Sequence, residues 1–344
     1  MRPLVATAGL LAVGGALSFL PARHGSAPIV GRETGGARGR VGLVFDVGGR
    51  GDKSFNDGAY AGLARAETEL GVEGAYLEPV GSEDREAAMR LFAARGMNLV
   101  IGVGFIFSSD VDRVARDYPQ VHFACIDYAP PPRPESPPPN VEGLDFREEE
   151  GSFLVGAVAG YVSKTHHVGF VGGMIGPLIR KFEVGYTAGV AAACSECVVH
   201  AAYVGASPDA FRDPAKGKAL AISEISRGAD VLYHASGASG HGVFEAAREG
   251  RAWAIGVDAD QYDEMPGTVL TSMVKRSDVA VFDAIRAAVE GRFEAGVHEL
   301  GLRDGAVGYV RDGAHAAAIP EDVKLRVDAL KDEVVRGVIH VPSD

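Results

Sequence analysis

Short apolar runs alternate with amphipathic stretches along most of this chain, and this alternation limits the possible fold more than any other feature. Ten runs have the apolar and β-branched character of buried strands, and stretches with helical spacing separate most of them. Strands that alternate with helices form parallel sheets through right-handed crossovers. Ten strands exceed one comfortable sheet, so we expect two Rossmann-like α/β lobes. The predicted strands are 41–47, 74–80, 98–105, 122–128, 141–146, 167–173, 200–204, 230–235, 252–258 and 269–275.

The length and the charge of the chain agree with two soluble lobes and exclude one class of partner. A chain of 344 residues is long enough for two domains with separate cores. The formal net charge is −12. A nucleic-acid-binding protein needs a basic face that neutralises phosphates, so we expect no nucleic-acid partner.

The first 27 residues predict a secretory signal peptide or an uncleaved N-terminal anchor. Arg2 precedes a long uncharged stretch, and Gly25 and Ala27 occupy the small-residue positions of a cleavage site. The apolar run is nearly long enough to span a bilayer, so an anchor is the alternative. Residues 28–40 predict a flexible tether. We therefore expect export to the periplasm or the cell surface, with membrane contact only through an uncleaved N-terminal segment.

Acidic residues end three of the predicted strands. Asp46, Asp127 and Asp258 follow apolar runs in VFD, CID and GVD. The carboxyl ends of parallel strands lie on one side of each sheet, where open α/β sheets bind ligands, so the three acids predict the rim of a polar pocket. Phe55, in the turn after Asp46, is a further candidate for ligand contact. Each acid alone could instead be a turn or capping residue.

The sequence lacks the motifs of phosphate binding and of common catalytic sites. GGRGDKS has the wrong spacing for a P-loop and an acid before its lysine, and no complete G-x-G-x-x-G, G-x-S-x-G or H-E-x-x-H occurs. Cys194 and Cys197 form a C-x-x-C that favours a disulfide clip or a free pair over a redox or zinc site. We therefore expect no catalytic residue, metal or cofactor.

Several long motifs together resemble one family. They are GDKSFNDGAYAGL, NVEGLDFREEEGSFLVGAVAG, VGFVGGMIGPLIRKFEVGYTAGV, DPAKGKALA, and GVDADQ with SMVKRSDVAV. They resemble, in the same order and over residues 41–293, the basic membrane protein family of ABC-transporter substrate-binding proteins, which includes purine nucleoside receptors. The resemblance implies a type I periplasmic-binding-protein fold, capture of purine nucleosides for import, and an ABC transporter permease as partner. Family members are commonly lipoproteins, but this sequence has no cysteine before Cys125, so we expect no lipid anchor.

The resemblance also implies eight ligand contacts. They are polar contacts from Asp46 and Asn56, base stacking by Phe55 and Phe211, a carboxylate at the polar edge of the base from Asp127, a backbone contact at Gly237, and ribose binding by Asp258 and Lys275. Core packing is the alternative for the two phenyl rings, and a solvated side chain or a salt bridge is the alternative for the lysine. The excess of acids opposes a phosphate group, so we expect a nucleoside and not a nucleotide.

By analogy with the fold, lobe 1 should hold residues 41–146 and 268–295, and lobe 2 residues 147–267 and 296–344. The crossings near residues 146, 267 and 295 would act as hinges. A nucleoside-processing enzyme, a sugar-binding protein and a sensory protein on the same fold are the alternative functions. The enzyme would release free base from a nucleoside, which separates it from a binding protein.

Overall fold

The structure is a computed structural model that describes residues 30–31, 38–79, 82–129 and 136–344. The predicted signal peptide or anchor at 1–27 lies outside the described residues, as does most of the predicted tether at 28–40.

The described residues form thirteen strands and nine α-helices, with short 3₁₀ helices in several loops. The strands are β1 Val30–Gly31, β2 Arg40–Val44, β3 Glu73–Leu77, β4 Leu99–Val103, β5 His122–Ile126, β6 Val141–Phe146, β7 His167–Met174, β8 Val198–Gly205, β9 Val231–Ala235, β10 Trp253–Asp258, β11 Val269–Lys275, β12 Gly296–Leu300 and β13 Val307–Tyr309. The helices are α1 Phe55–Leu70, α2 Ser82–Ala94, α3 Ser108–Asp117, α4 Glu148–Val162, α5 Pro177–Ala193, α6 Pro214–Ser226, α7 Gly240–Gly250, α8 Ser277–Val289 and α9 Glu321–Val335.

The strands form two sheets. The first has seven strands in the order β1-β3-β2-β4-β5-β6-β12, and the second has six in the order β13-β11-β10-β9-β7-β8. Among the described pairings, β1 with β3 and β13 with β11 are antiparallel, and the others are parallel. The prediction of two α/β lobes with parallel sheets is confirmed.

Helices cover both faces of the first sheet, which explains its continuous apolar strands. In β2, Val41 and Leu43 belong to the core that includes Leu63 of α1, whereas Val44 belongs to the core that includes Phe92 of α2. Successive side chains of a strand point to opposite faces, so a strand buried on both sides must be apolar at every position. The polar residues that remain are therefore concentrated at the strand ends.

The strand pairing differs from the predicted division into lobes at two places. Strand β11 pairs in parallel with β10, so Val269–Lys275 belongs to the second sheet and not to lobe 1. Strand β12 pairs in parallel with β6, so Gly296–Leu300 belongs to the first sheet and not to lobe 2. The chain therefore passes between the sheets after β6, after β11 and after β12, and the predicted crossings at 267 and 295 are wrong.

The cysteine pair at the end of α5 is oxidised. Cys194 and Cys197 form a disulfide, which joins the end of α5 to the residue before β8. Cys125 is a buried free thiol within β5.

Candidate functional site

A cavity lies between the two lobes, at the carboxyl ends of β2, β5 and β10. It encloses about 590 Å³ of space between atoms, solvent at its mouth included. All eight residues predicted from the sequence line it: Asp46, Phe55, Asn56, Asp127, Phe211, Gly237, Asp258 and Lys275. The structure therefore brings the predicted set together in one place, while the ligand contacts assigned to it stay predictions.

Two acids occupy corresponding positions in the two lobes. Asp127 follows β5 in the first lobe, and Asp258 ends β10 in the second. Both have left-handed backbone conformations, with φ of 60° and 66°. Asp tolerates this conformation better than most residues, and non-glycine residues in it are concentrated at functional sites. The backbone at each strand end thus places one carboxylate from each lobe at the cavity.

Lys275 makes two buried ion pairs at the cavity, and the pair with Asp127 joins the two lobes. Its Nζ lies 2.6 Å from Oδ1 of Asp127 and 2.9 Å from Oε1 of Glu148, the first residue of α4. Asp258 has another partner, because the Ser54 hydroxyl donates to its Oδ2 at 2.5 Å. Asp258 and Lys275 are the two residues predicted to bind ribose. Lys275 is in ion pairs, whereas Asp258 has none among the contacts described.

Burial changes the protonation of these groups. It raises the pKa of Asp127 to about 7 against the opposing charge of Lys275, and it raises the pKa of Asp258 to about 6. It also raises the pKa of Asp46 to about 7, since the backbone N–H of Val47 only partly offsets the lost hydration. Burial disfavours the Lys275 cation, but the carboxylates of Asp127, Glu148 and Asp258 outweigh this and raise its pKa. The lysine is therefore charged at neutral pH, while the acids titrate nearby.

The loop after β2 is held by its own polar side chains. Asp46 accepts a hydrogen bond from the backbone N–H of Val47 at 2.5 Å, so it is both a turn residue and a cavity residue. Asn56 accepts from the backbone N–H of Asp46 at 3.2 Å and donates to Asp52 at 3.0 Å. Asp52 also accepts three backbone N–H groups at the start of α1, at 2.8 to 3.1 Å. This bonding fixes the first turn of α1, where Phe55 lies.

The two predicted stacking residues are half-buried and come from different lobes. Phe55 begins α1, and Phe211 ends the 3₁₀ segment Pro208–Phe211 of the second lobe. The Phe211 ring lies against Gly173, where a Cβ atom would be 2.3 Å from the ring. Gly237 has a φ of 54°, and a Cβ there would lie 3.3 Å from the Phe211 carbonyl oxygen. These glycines leave the space that the Phe211 ring occupies.

Sequence reasoning missed other residues at the cavity. Asp52, Phe105 and Phe182 also line it, and Glu148 pairs with its lysine. Phe182 and Glu148 lie in motifs that carried the family resemblance, but a phenylalanine within a helix usually belongs to the core, and an acid in the first turn usually stabilises the helix. Only the apolar run that ends at Phe105 gave a local signal.

The described residues contain no group of three or more His, Cys, Asp or Glu side chains that could hold a metal ion. The acids at the cavity are instead paired with Lys275 or with backbone and side-chain donors.

Two parallel α/β lobes with a polar and aromatic cavity between them define a solute-binding protein of the kind used by ABC transporters. The chain belongs to the Bmp family, described as ABC transporter substrate-binding protein PnrA-like, whose sequence model matches residues 40–343. The family predicted from the motifs is confirmed.

Individual relatives agree with this assignment. The CD4+ T-cell-stimulating antigen of Listeria monocytogenes is 36% identical over 325 residues, which cover 88% of this chain and 88% of the relative. The crystal structure of an ABC transporter solute-binding protein from Aeropyrum pernix K1 is 32% identical, with a TM-score of 0.79 over 89% of this chain and 94% of that one. The type I periplasmic-binding fold implied by the motifs is confirmed.

The predicted localisation needs correction. A relative from Pyrococcus furiosus, 35% identical over 323 residues that cover 90% of this chain and 80% of the relative, is named a lipoprotein. This finding contradicts the prediction of a periplasmic or cell-surface protein without a lipid anchor, which depended on the missing cysteine at the signal cleavage site. No helix within residues 38–79, 82–129 or 136–344 is long and apolar enough to cross a membrane.

Proposed function

We propose that this chain captures a purine nucleoside in the cleft between its lobes and presents it to the permease of an ABC importer. The observation that supports this most is the composition of the cavity. Phe55 and Phe211, from opposite lobes, line it together with the carboxylates of Asp127 and Asp258 and the ammonium group of Lys275. A purine nucleoside has the matching parts, a flat base and a ribose with hydroxyl donors.

The aromatic residues account for the base. Stacking of a base on an aromatic side chain contributes about 1–3 kcal/mol per contact, as measured on nucleic-acid-binding proteins. One ring from each lobe gives the base two such contacts only when the lobes are closed. Binding and closure are thereby coupled, because the closed state makes contacts that the open state lacks.

The charged residues account for the sugar and for the exclusion of phosphate. Asp258 uses one carboxylate oxygen for the Ser54 hydroxyl, and the remaining lone pairs can accept ribose hydroxyls. Asp46, Asp52 and Asp127 add further acidic groups, whereas Lys275 already pairs with Asp127 and Glu148. A phosphate would meet more acids than free cations, so a nucleotide should bind much more weakly than its nucleoside.

The function proposed is binding without catalysis. The family and the matched structure are those of solute-binding proteins. Purified protein incubated with inosine should release no hypoxanthine. Chromatographic detection of free base at a rate above that of the buffer would support a nucleosidase instead.

Calorimetric titration tests the proposed ligand. We expect inosine, guanosine or adenosine to bind, with inosine monophosphate, free ribose and glucose binding at least tenfold more weakly. Phe55→Ala should weaken nucleoside binding. Phe293→Ala is the matched control, because Phe293 is also half-buried but stacks on His122 outside the cavity. Tighter binding of a sugar than of any nucleoside would contradict the proposal. Equal nucleoside affinities of the Phe55→Ala and Phe293→Ala variants would contradict it as well.

A further inference from the structure

Gln261 is a buried residue whose side chain connects the two lobes. It lies three residues after Asp258, is 4% exposed, and does not line the cavity. Its Oε1 accepts the backbone N–H of Val257 at 2.8 Å. Its Nε2 donates to the carbonyl oxygen of Lys53, in the first lobe, at 3.2 Å. One amide thus connects the strand that carries Asp258 to the loop that leads into α1.

His234 fixes the orientation of this amide. Its Nε2 lies 3.1 Å from Oε1 of Gln261, the same oxygen that accepts the Val257 N–H. Burial lowers the pKa of His234 to about 4, so the imidazole is neutral and has a single N–H. Oε1 of Gln261 accepts the Val257 N–H and cannot donate, so the contact with His234 places that hydrogen on Nε2. With two donors at Oε1, the amide nitrogen of Gln261 can only face Lys53.

The first lobe presents its carbonyl through an unusual backbone conformation. Lys53 has a φ of 52°, in the left-handed region that is uncommon for lysine. The next residue, Ser54, donates its hydroxyl to Asp258. Two adjacent residues of the first lobe therefore contact the second lobe: Ser54 contacts Asp258, a predicted ligand residue, and Lys53 contacts Gln261.

We propose that Gln261 is a closure latch, a positioning residue that favours the closed state of the lobes without contacting the ligand. The inference rests on the proposed function, since closure serves a cleft that receives a solute. A latch of this kind raises the population of the binding-competent state and therefore the apparent affinity. It also slows ligand release, because opening must first break the Gln261–Lys53 hydrogen bond.

Gln261→Glu tests the latch. The substitution keeps an oxygen for Val257 and His234 but places a second oxygen against the Lys53 carbonyl. Thr271→Val is the matched control, because the Thr271 hydroxyl also donates to a backbone carbonyl, that of Val310 at 2.7 Å, but within the second lobe. Gln261→Met is a second latch variant, should the glutamate prevent folding.

The readouts are the radius of gyration by small-angle X-ray scattering and inosine dissociation by stopped flow. Without ligand, we expect the latch variants to have a larger radius of gyration than wild type, and with saturating inosine the same radius. Inosine should dissociate from them at least about fivefold faster, which corresponds to the loss of the net contribution of one hydrogen bond. Thr271→Val should match wild type in both. Latch variants with wild-type radius and dissociation rate would overturn the proposal. If wild type binds no nucleoside, the proposed function fails, and the ligand-free radius still decides whether Gln261 holds the lobes closed.

Discussion

Replacing Lys275 by methionine should destabilise the ligand-free protein strongly. The lysine side chain is 2% exposed, and its carboxylate partners, Asp127 and Glu148, are 4% and 0% exposed. Methionine has a similar volume but no charge, so it would leave both buried acids without their principal cation. The variant therefore separates the contribution of charge from that of packing.

The size of the effect follows from what remains at the site. Removal of one partner from a buried ion pair typically costs about 3–5 kcal/mol, because an uncompensated charge stays buried. Glu148 keeps a second cation, Lys181, at 3.4 Å, which places the expected loss near the lower limit, at about 3 kcal/mol. The free energy of unfolding of a folded domain is typically about 5–15 kcal/mol, so a loss of this size would remove about a third of it.

The loss should depend on pH. Lys275 is one of the influences that lower the pKa of Asp127, which burial raises to about 7. Without the lysine this pKa rises further, so the difference between variant and wild type should be largest near pH 8 and shrink toward pH 5, where Asp127 is protonated in both folded proteins.

Urea unfolding of the ligand-free proteins at pH 8 and pH 5 measures both effects. Lys218→Met is the matched control, because Lys218 also pairs with two carboxylates, those of Glu245 and Glu249, but at the surface. This control should differ little from wild type. A Lys275→Met protein within about 1 kcal/mol of wild type at pH 8, or a loss that does not change with pH, would show that Lys275 does not compensate buried negative charge on Asp127 and Glu148.

Three further predictions concern single side chains. Glu224 has no hydrogen-bond partner among the described residues, and burial raises its pKa from 4.5 to about 9. Wild-type stability should therefore fall as pH rises through this range, and Glu224→Met should make the melting temperature measured by calorimetry less dependent on pH between 6 and 9. Parallel melting-temperature profiles for the two proteins would contradict this. Phe211→Ala should weaken nucleoside binding about tenfold, which titration calorimetry can measure, and an unchanged affinity would remove its stacking role. Gly173→Ala should displace the Phe211 ring and also weaken binding, whereas Gly308→Ala, which introduces a methyl group into open space, should not; equal affinities in the two glycine variants would show that the ring position is not critical.

Strand geometry explains why the predicted acids converge on one cavity, and this convergence could be predicted from the sequence, while their role in ligand binding stays a prediction. Asp46, Asp127 and Asp258 each interrupt an apolar pattern at a strand end, and parallel sheets bring such ends to one side. The structure places all three at one cavity. The two-lobe fold could be predicted for a similar reason, because the apolar runs and the helical stretches differ clearly in period.

Contacts between the lobes could not be predicted in this way. The hydrogen bonds from Ser54 to Asp258 and from Gln261 to Lys53 join residues 204 and 208 positions apart, and no local pattern encodes such distant pairs. For the same reason the sequence placed Val269–Lys275 in the wrong lobe, because a buried apolar strand fits either sheet equally well. Strand β12 was not predicted because it exposes every second residue and contains polar ones.

A crystal structure of the protein with inosine would show directly where the ligand lies between the lobes. We predict that the hypoxanthine ring lies between Phe55 and Phe211 and that the ribose hydroxyls donate to Asp258, with Lys275 within hydrogen-bonding distance of the sugar. Inosine bound outside this cavity, or a base in contact with neither phenyl ring, would rule out nucleoside capture by these residues.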